Sequence, residues 1–429
     1  VTPTRSRKMR IRRSLWSVAV VAGLALAAGE LPAQTSTLAS LFQRKDCFGL
    51  RDALRAERGG APELEFYRAA SAAAFNQPDR AVEHATRFVR GSSRDTALLA
   101  LAYGVLGDAH GKAYRYREAA RSYALAVALQ RDSAERAEAE NFVRLWSVVG
   151  EVPPQTVSIP ARTRLATTRD RAGLLNVDVE AGGRRFPFVW DTGAGLSVLP
   201  ASTAAAMGLR VSSDSVVVGS STGSQRNARV AHAPELRMGG VTIRNAIFLV
   251  LPDDELSFPQ IDYRIQGIIG FPVIAGLGRT TLMRDGGLVI DGEGARETAE
   301  SNLCLDGLTP LVAVTYRGRR LHFGLDTGAD HTSLFLAYFD AYREPVMAAG
   351  KAGVERIGGA GGTREVAGFT LPAWTAEIGR REVSLTDVRV QSEKTAQNSG
   401  WVYGNVGQDV IRQFGSMTLD FRTMQFRLH

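Results

Sequence analysis

The second half of this chain is written twice, and that constrains it more than any other feature. The stretch VDVEAGGRRFPFVWDTGA, which starts at Val177, aligns with VAVTYRGRRLHFGLDTGA, which starts at Val312, at an offset of 135 residues. VGSSTGS from Val218 then matches IGGAGGT from Ile357, and GIIGFPVIAGLGRTTL from Gly267 matches GNVGQDVIRQFGSMTL from Gly404. Three segments recurring in the same order, with the offset drifting by only a few residues, require one small unit built twice. The units span residues 153–298 and 303–429, joined by DGEGARETAESNLCLDG.

Each copy reads as β-structure. Val177 and Val179 alternate with polar residues, Gly182-Gly183 reverses the chain, and Phe186, Phe188 and Trp190 alternate again. This period of two gives a hairpin with one buried face. Copy two repeats it with Val312 and Val314, a turn at Arg317-Gly318, and Leu321, Phe323 and Leu325. Asp191 and Asp326 each follow the last apolar residue, where the strand runs into a tight loop. Gly193 and Gly328 supply the backbone freedom or close approach such a loop needs. A carboxylate at the end of a buried strand needs a partner. If the two copies face each other, each carboxylate finds the other, and two carboxyls a few ångströms apart share one proton. An acid and a base then stand side by side at one pH.

With these motifs the region 153–429 resembles the bacterial retropepsin-like group of aspartic peptidases, including its Asp-Thr-Gly-Ala loops, Gly-rich stretches and hydrophobic-hydrophobic-Gly segments. The resemblance implies an all-β, two-lobed acid-protease-type barrel with Asp191 and Asp326 as the catalytic dyad. Thr192 and Thr327 would bond across the two loops, and Ser197 and Thr332 would hydrogen-bond to the carboxylates. Gly219, Gly223, Gly358 and Gly362 would lie in flap hairpins over substrate. Ile269, Gly270, Val406 and Gly407 would support the loops from below. Copy two departs from the pattern at Asn405, which stands where copy one has the apolar Ile268. Retroviral members carry an Arg after the last glycine, whereas Phe271 and Gln408 stand here, so Asp330 is expected to lack its ion-pair partner. Neither flap segment has the Tyr of pepsin-like enzymes. The resemblance implies no cofactor and no metal.

The first half is Ala- and Leu-rich and reads as helix over residues 40–150. Leu106, Gly107, Ala119, Tyr123 and Ala126 have spacings that resemble a tetratricopeptide repeat (TPR), and a looser copy upstream places Ala81 in the role of Ala119. A generic helical bundle is the alternative. The three prolines of EVPPQTVSIP end the helical pattern and set a domain boundary.

Residues 1–33 combine a basic start, an apolar run from Leu15 to Ala28 and small residues, as a secretory signal peptide does. Export to the periplasm or outside the cell is expected, with cleavage near Ala33 and no stable membrane anchor, because the apolar run is short for a span. Met9 is a natural start. This segment carries +5 of the formal net charge of +8, and the dispersed remainder excludes nucleic acid as a partner. Cys47 and Cys304 are the only cysteines, and they form either one disulfide or two free thiols. The six histidines show no metal-ligand spacing, and His331 beside the second loop reads as a surface or substrate-side residue.

Together these readings describe a multidomain protein, an N-terminal TPR-like helical region followed by the two-lobed β-module. Its expected function is that of a secreted or periplasmic aspartic endopeptidase acting on peptides or proteins, as a monomer with its lobes paired within the chain. A catalytically silent peptide-binding scaffold is the alternative, with the helices docking a protein partner. The helices are also open to reading as a removable inhibitory segment.

Overall fold

The computed structural model describes residues 33–91, 95–160, 162–219, 225–259, 262–292, 300–359, 362–394 and 400–429. The expected signal peptide lies outside them, apart from Ala33.

Among the described residues, seven helices come first: α1 (Ala33–Gln43), α2 (Cys47–Ala56), α3 (Pro62–Ala74), α4 (Pro78–Arg90), α5 (Thr96–Lys112), α6 (Tyr116–Leu129) and α7 (Ser133–Val148). Their starts are set locally. Asp46, Asp95 and Asp132 accept first-turn N–H groups of α2, α5 and α7, and prolines open α3 and α4 where a missing N–H costs nothing. Small residues let the helices approach. Ala81 and Ala119 are fully buried, and a Cβ on Gly107 would lie 2.6 Å from the Tyr123 ring.

The helices also pack on both β-lobes. Phe48 and Phe75 belong to the same core as the β-region, while Tyr116, Leu145 and Trp146 share a second core with Val216 and Ile268. Cys47 and Cys304 form a disulfide that ties α2 to the start of the second lobe, which settles the alternative the sequence left open. Lys45 pairs with Asp306 at 3.0 Å, and Arg51 reaches Glu300 at 2.7 Å. Asn76 donates to the Phe421 carbonyl at 2.9 Å, and Tyr114 to that of Pro272 at 2.9 Å.

The predicted hairpins are present. Leu175–Ala181 pairs antiparallel with Arg184–Trp190, and Thr309–Tyr316 pairs with Arg319–Leu325. The two-residue turns have positive φ at both positions: Gly182 and Gly183 in the first, Arg317 and Gly318 in the second. That is the turn geometry that matches strand twist. In each lobe a short strand then threads beside the second arm of the hairpin. Ile268–Ile269 runs parallel to Arg184–Trp190 and antiparallel to Ser197–Pro200. Gly404–Val406 runs parallel to Arg319–Leu325 and antiparallel to Ser333–Leu334. The loop after each Asp is thereby enclosed by three strands.

The lobes also share a sheet. Arg279–Met283 of the first lobe pairs with Ser416–Asp420 near the end of the chain, residue against residue from Arg279↔Asp420 to Met283↔Ser416. This interlobe ladder keeps the two repeats in one body.

Candidate active site

Asp191 and Asp326 occupy the ends of equivalent strands, and the loops that come after them face each other. The Asp191 N–H donates to the Ile269 carbonyl and the Asp326 N–H to that of Val406, both at 3.1 Å. One oxygen of Asp191 accepts the Gly193 N–H at 2.8 Å, and one of Asp326 accepts the Gly328 N–H at 2.9 Å. The carboxyls meet across the interface. The Asp326 charge acts directly on Asp191, and a Cβ on Gly193 would lie 2.7 Å from Asp326 Cγ. Reciprocally, a Cβ on Gly328 would lie 2.6 Å from Asp191 Cγ. Both glycines are therefore required by close approach.

Thr192 and Thr327 lock the two loops. The Thr192 N–H donates to the Thr327 hydroxyl at 3.0 Å, and the Thr327 N–H donates to that of Thr192 at 3.1 Å. Each hydroxyl then donates across the interface, Thr192 to Leu325 O and Thr327 to Trp190 O, both at 2.7 Å. Both threonines are buried, so all four polar groups find their partners within the protein.

Burial raises the pKa of both carboxyls, and the Asp326 charge opposes ionisation of Asp191. Asp191 is pushed up to about 8, first by burial and then by the Asp326 charge. Asp326 is raised by burial, against hydrogen bonds from Gly328, Ala329 and Asn405. The pair holds one proton around neutral pH, and the titration belongs to the pair rather than to either member.

Ser197 and Thr332 sit one layer behind the dyad, and the expectation that their hydroxyls bond the catalytic carboxylates is corrected. The Ser197 hydroxyl accepts the Gly270 N–H at 3.0 Å. The Thr332 hydroxyl accepts the Gly407 N–H at 3.0 Å and donates to Asp409 at 2.7 Å. These hydroxyls fasten the loops to the segments beneath. A Cβ on Gly270 or Gly407 would come within 2.5 Å of the Leu196 or His331 carbonyl carbon, so only glycine fits under each loop. Ile269 and Val406 are fully buried and supply the carbonyls that hold the Asp N–H groups.

Asp330 also has a partner, contrary to expectation. Arg412, four residues beyond Gln408, pairs with it at 2.6 Å and holds its carboxyl below the usual range. Gln408 takes a different part. Its side-chain N–H donates to Thr327 O at 2.7 Å, while Arg169 of the first lobe donates to its side-chain oxygen. Sequence reasoning missed Arg169, and it noted Asn405 only as a departure. The signal at Asn405 was a polar residue where the repeat has Ile268.

The hairpin arms expected to carry the flaps are present. Val216–Gly219 pairs with Gln225–Met238, and Lys351–Gly359 pairs with Gly362–Ile378 with Gly358 opposite Thr363. Gly219 pairs with Gln225, Gly362 pairs with Gly359, and Gly223 lies outside the described residues. His331 is exposed, with its ring 3.0 Å from Asp330. His322 is buried within 4.8 Å of the two cysteine sulfurs, a proximity that no sequence spacing announced. The sulfurs are bonded to each other there.

Residues 177–273, the core of the first lobe, match the family model described as aspartyl protease. The second lobe lies outside that match but repeats its dyad loop and threaded strand. Among solved structures the chain is similar to a retropepsin-like aspartic protease from Rickettsia conorii, at 16% identity and a TM-score of 0.21. That similarity covers 32% of this chain and 91% of that one. No curated protein matches the chain.

Proposed function

We propose that this protein is an aspartic endopeptidase whose two lobes form one active site within a single chain. The observation that carries the reading is the facing Asp191–Asp326 pair, each carboxyl packed against the other loop's glycine and framed by reciprocal threonines. In the hydrolysis, the ionised carboxyl takes a proton from a water placed between the pair, and the protonated one donates toward the scissile carbonyl oxygen. The water oxygen adds to the carbonyl carbon, giving a tetrahedral diol. Collapse of the diol breaks the C–N bond as a proton passes to the leaving amine, and no acyl-enzyme forms. The two loop N–H donors, from Gly193 and Gly328, hold the carboxyl orientations throughout.

An exported protein in the periplasm or outside the cell fits the disulfide, which persists where the surroundings are oxidising. The substrate class is peptide or protein, and the TPR-like helices are proposed as part of the same working unit. Digestion of a peptide library with and without pepstatin tests the reading, with Asp191→Asn as control. Pepstatin-sensitive cleavage that the variant lacks is expected. A wild-type protein that binds peptides and cuts none of them would leave a scaffold in place of an enzyme.

A further inference from the structure

The Val216–Gly219 strand is the last in its sheet, so one row of its peptide groups faces away from any neighbouring strand. Such an edge leaves donors and acceptors to be satisfied elsewhere. At Val217 both are taken by one side chain from the helical region. Asn141 Nδ2 of α7 donates to Val217 O at 2.7 Å, and the Val217 N–H donates to Asn141 Oδ1 at 3.0 Å. A primary amide carries a donor and an acceptor in the geometry of a peptide, so Asn141 acts as a one-residue surrogate strand. Asn141 is 8% exposed, so the side chain that makes both bonds is itself buried against the hairpin. Packing reinforces the grip. Val216, next in the strand, is 1% exposed and shares a core with Leu145, Trp146 and Val149 of α7 and its end.

This hairpin belongs to the sheet that carries the Asp191 loop. The order runs from Arg184–Trp190 through Ile268–Ile269, Ser197–Pro200, Val241–Leu251 and Gln225–Met238 to Val216–Gly219. The corresponding hairpin of the second lobe ends in Lys351–Gly359, also an edge strand. Among the described residues, no helical side chain makes a comparable pair of bonds to it. The two hairpins are alike in sequence and unlike in how they are held.

We propose that Asn141 is a positioning residue for the peptidase reaction. Through it, helix α7 fixes the described arms of the first-lobe hairpin, Val216–Gly219 and Gln225–Met238, as a rigid wall for the substrate, and the arms of the second-lobe hairpin are left to adjust. The helical region is then a working part of the enzyme rather than a segment to be shed. The effect on substrate rests on the peptidase reading, but the anchoring does not, and the experiment separates them.

Hydrogen exchange on full-length Asn141→Leu, which keeps the volume and removes both bonds, should show faster exchange by about tenfold across residues 216–219 and 225–228. The Thr192 and Thr327 amides should be unchanged, which also certifies the fold. Asn141→Asp, which keeps only the acceptor, should fall between. On a peptide substrate, KM should rise several-fold in Asn141→Leu with a smaller change in kcat, and Asn141→Asp should recover part of the loss. Unchanged exchange at Val217 in Asn141→Leu would overturn the anchoring. Faster exchange with unchanged KM would overturn the positioning role. If the wild type cuts no peptide, the peptidase reading falls with the positioning role, and exchange still decides whether α7 holds the hairpin.

Discussion

Thr192 and Thr327 exchange two hydrogen bonds, the N–H of each accepted by the hydroxyl of the other at 3.0 and 3.1 Å. Each hydroxyl also donates to a carbonyl of the opposite lobe, so the pair fixes the separation of the neighbouring carboxyls. A valine at either site keeps the shape but strands one N–H and one C=O in a buried place. Thr192→Val and Thr327→Val should each cost about 2–4 kcal/mol in stability and lower kcat/KM by at least tenfold, whereas Thr→Ser should retain most of both. Denaturant unfolding together with peptide hydrolysis measures this. Full activity in both valine variants would mean that the lobes hold their alignment by other contacts.

The glycines after the threonines lead to a sharper expectation. An alanine at 193 would put its methyl 2.7 Å from Asp326 Cγ, and one at 328 would lie 2.6 Å from Asp191 Cγ. Neither carboxyl can retreat without breaking its own glycine amide bond. Gly193→Ala and Gly328→Ala should therefore remove cleavage almost wholly. Far-ultraviolet circular dichroism should stay as in the wild type, because the lobes' strand ladders lie outside the clash. Turnover within a few-fold of wild type would show that the loops are looser than this geometry.

Much of this site was legible because the chain states it twice. Period-two alternation before each Asp gave the hairpins, and the repeated glycines gave the loops and the tight turns beneath them. Residues that act from one copy only were not legible. Arg169 meets Gln408 across the lobes, and Asn405 meets Asp326 only after the threaded strand has formed. Arg412 replaces an arginine expected at Gln408 because a helical turn brings it back to Asp330. Asn141 lies 76 residues from Val217, and no local pattern links them. Ser197 and Thr332 were picked out by their spacing from each Asp, but their hydroxyls bond Gly270, Gly407 and Asp409 rather than the dyad.

The raised pKa of Asp191 has a consequence for stability. Its folded value, about 8, lies above the ordinary 3.8, so the folded state binds the proton more tightly than the unfolded state does. The contribution is fully present below about 4 and is lost as pH rises through 8. Asparagine imitates the protonated form. Asp191→Asn should therefore be inactive yet more stable than wild type at pH 9, by about 1–3 kcal/mol once partial solvent access is allowed for, with the difference vanishing near pH 4. Wild-type cleavage should fall on the alkaline side as the pair loses its shared proton, and on the acid side as both carboxyls protonate. Urea unfolding at the two pH values decides the stability part. A variant less stable than wild type at pH 9 would show that Asp191 is not held protonated by its surroundings.

The disulfide spans 257 residues and joins α2 to the first strand of the second lobe. Closing so long a loop removes much of the unfolded chain's freedom, worth up to about 5 kcal/mol where the folded state is unstrained. Its neighbours add less. Lys45–Asp306 and Arg51–Glu300 are ion pairs of partial exposure, and their strength falls with salt. A Cys47→Ala, Cys304→Ala double variant should lose several degrees of Tm, and a reductant should lower the wild type to the same value. Because the dyad loops are fastened by Thr192, Thr327 and the interlobe ladder, kcat at 25 °C should change little in the folded variant. If cleavage disappears while the fold persists, then the docking of α2 on the second lobe reaches the dyad itself, and the helical region bears on catalysis through the His322 side as well as through Asn141.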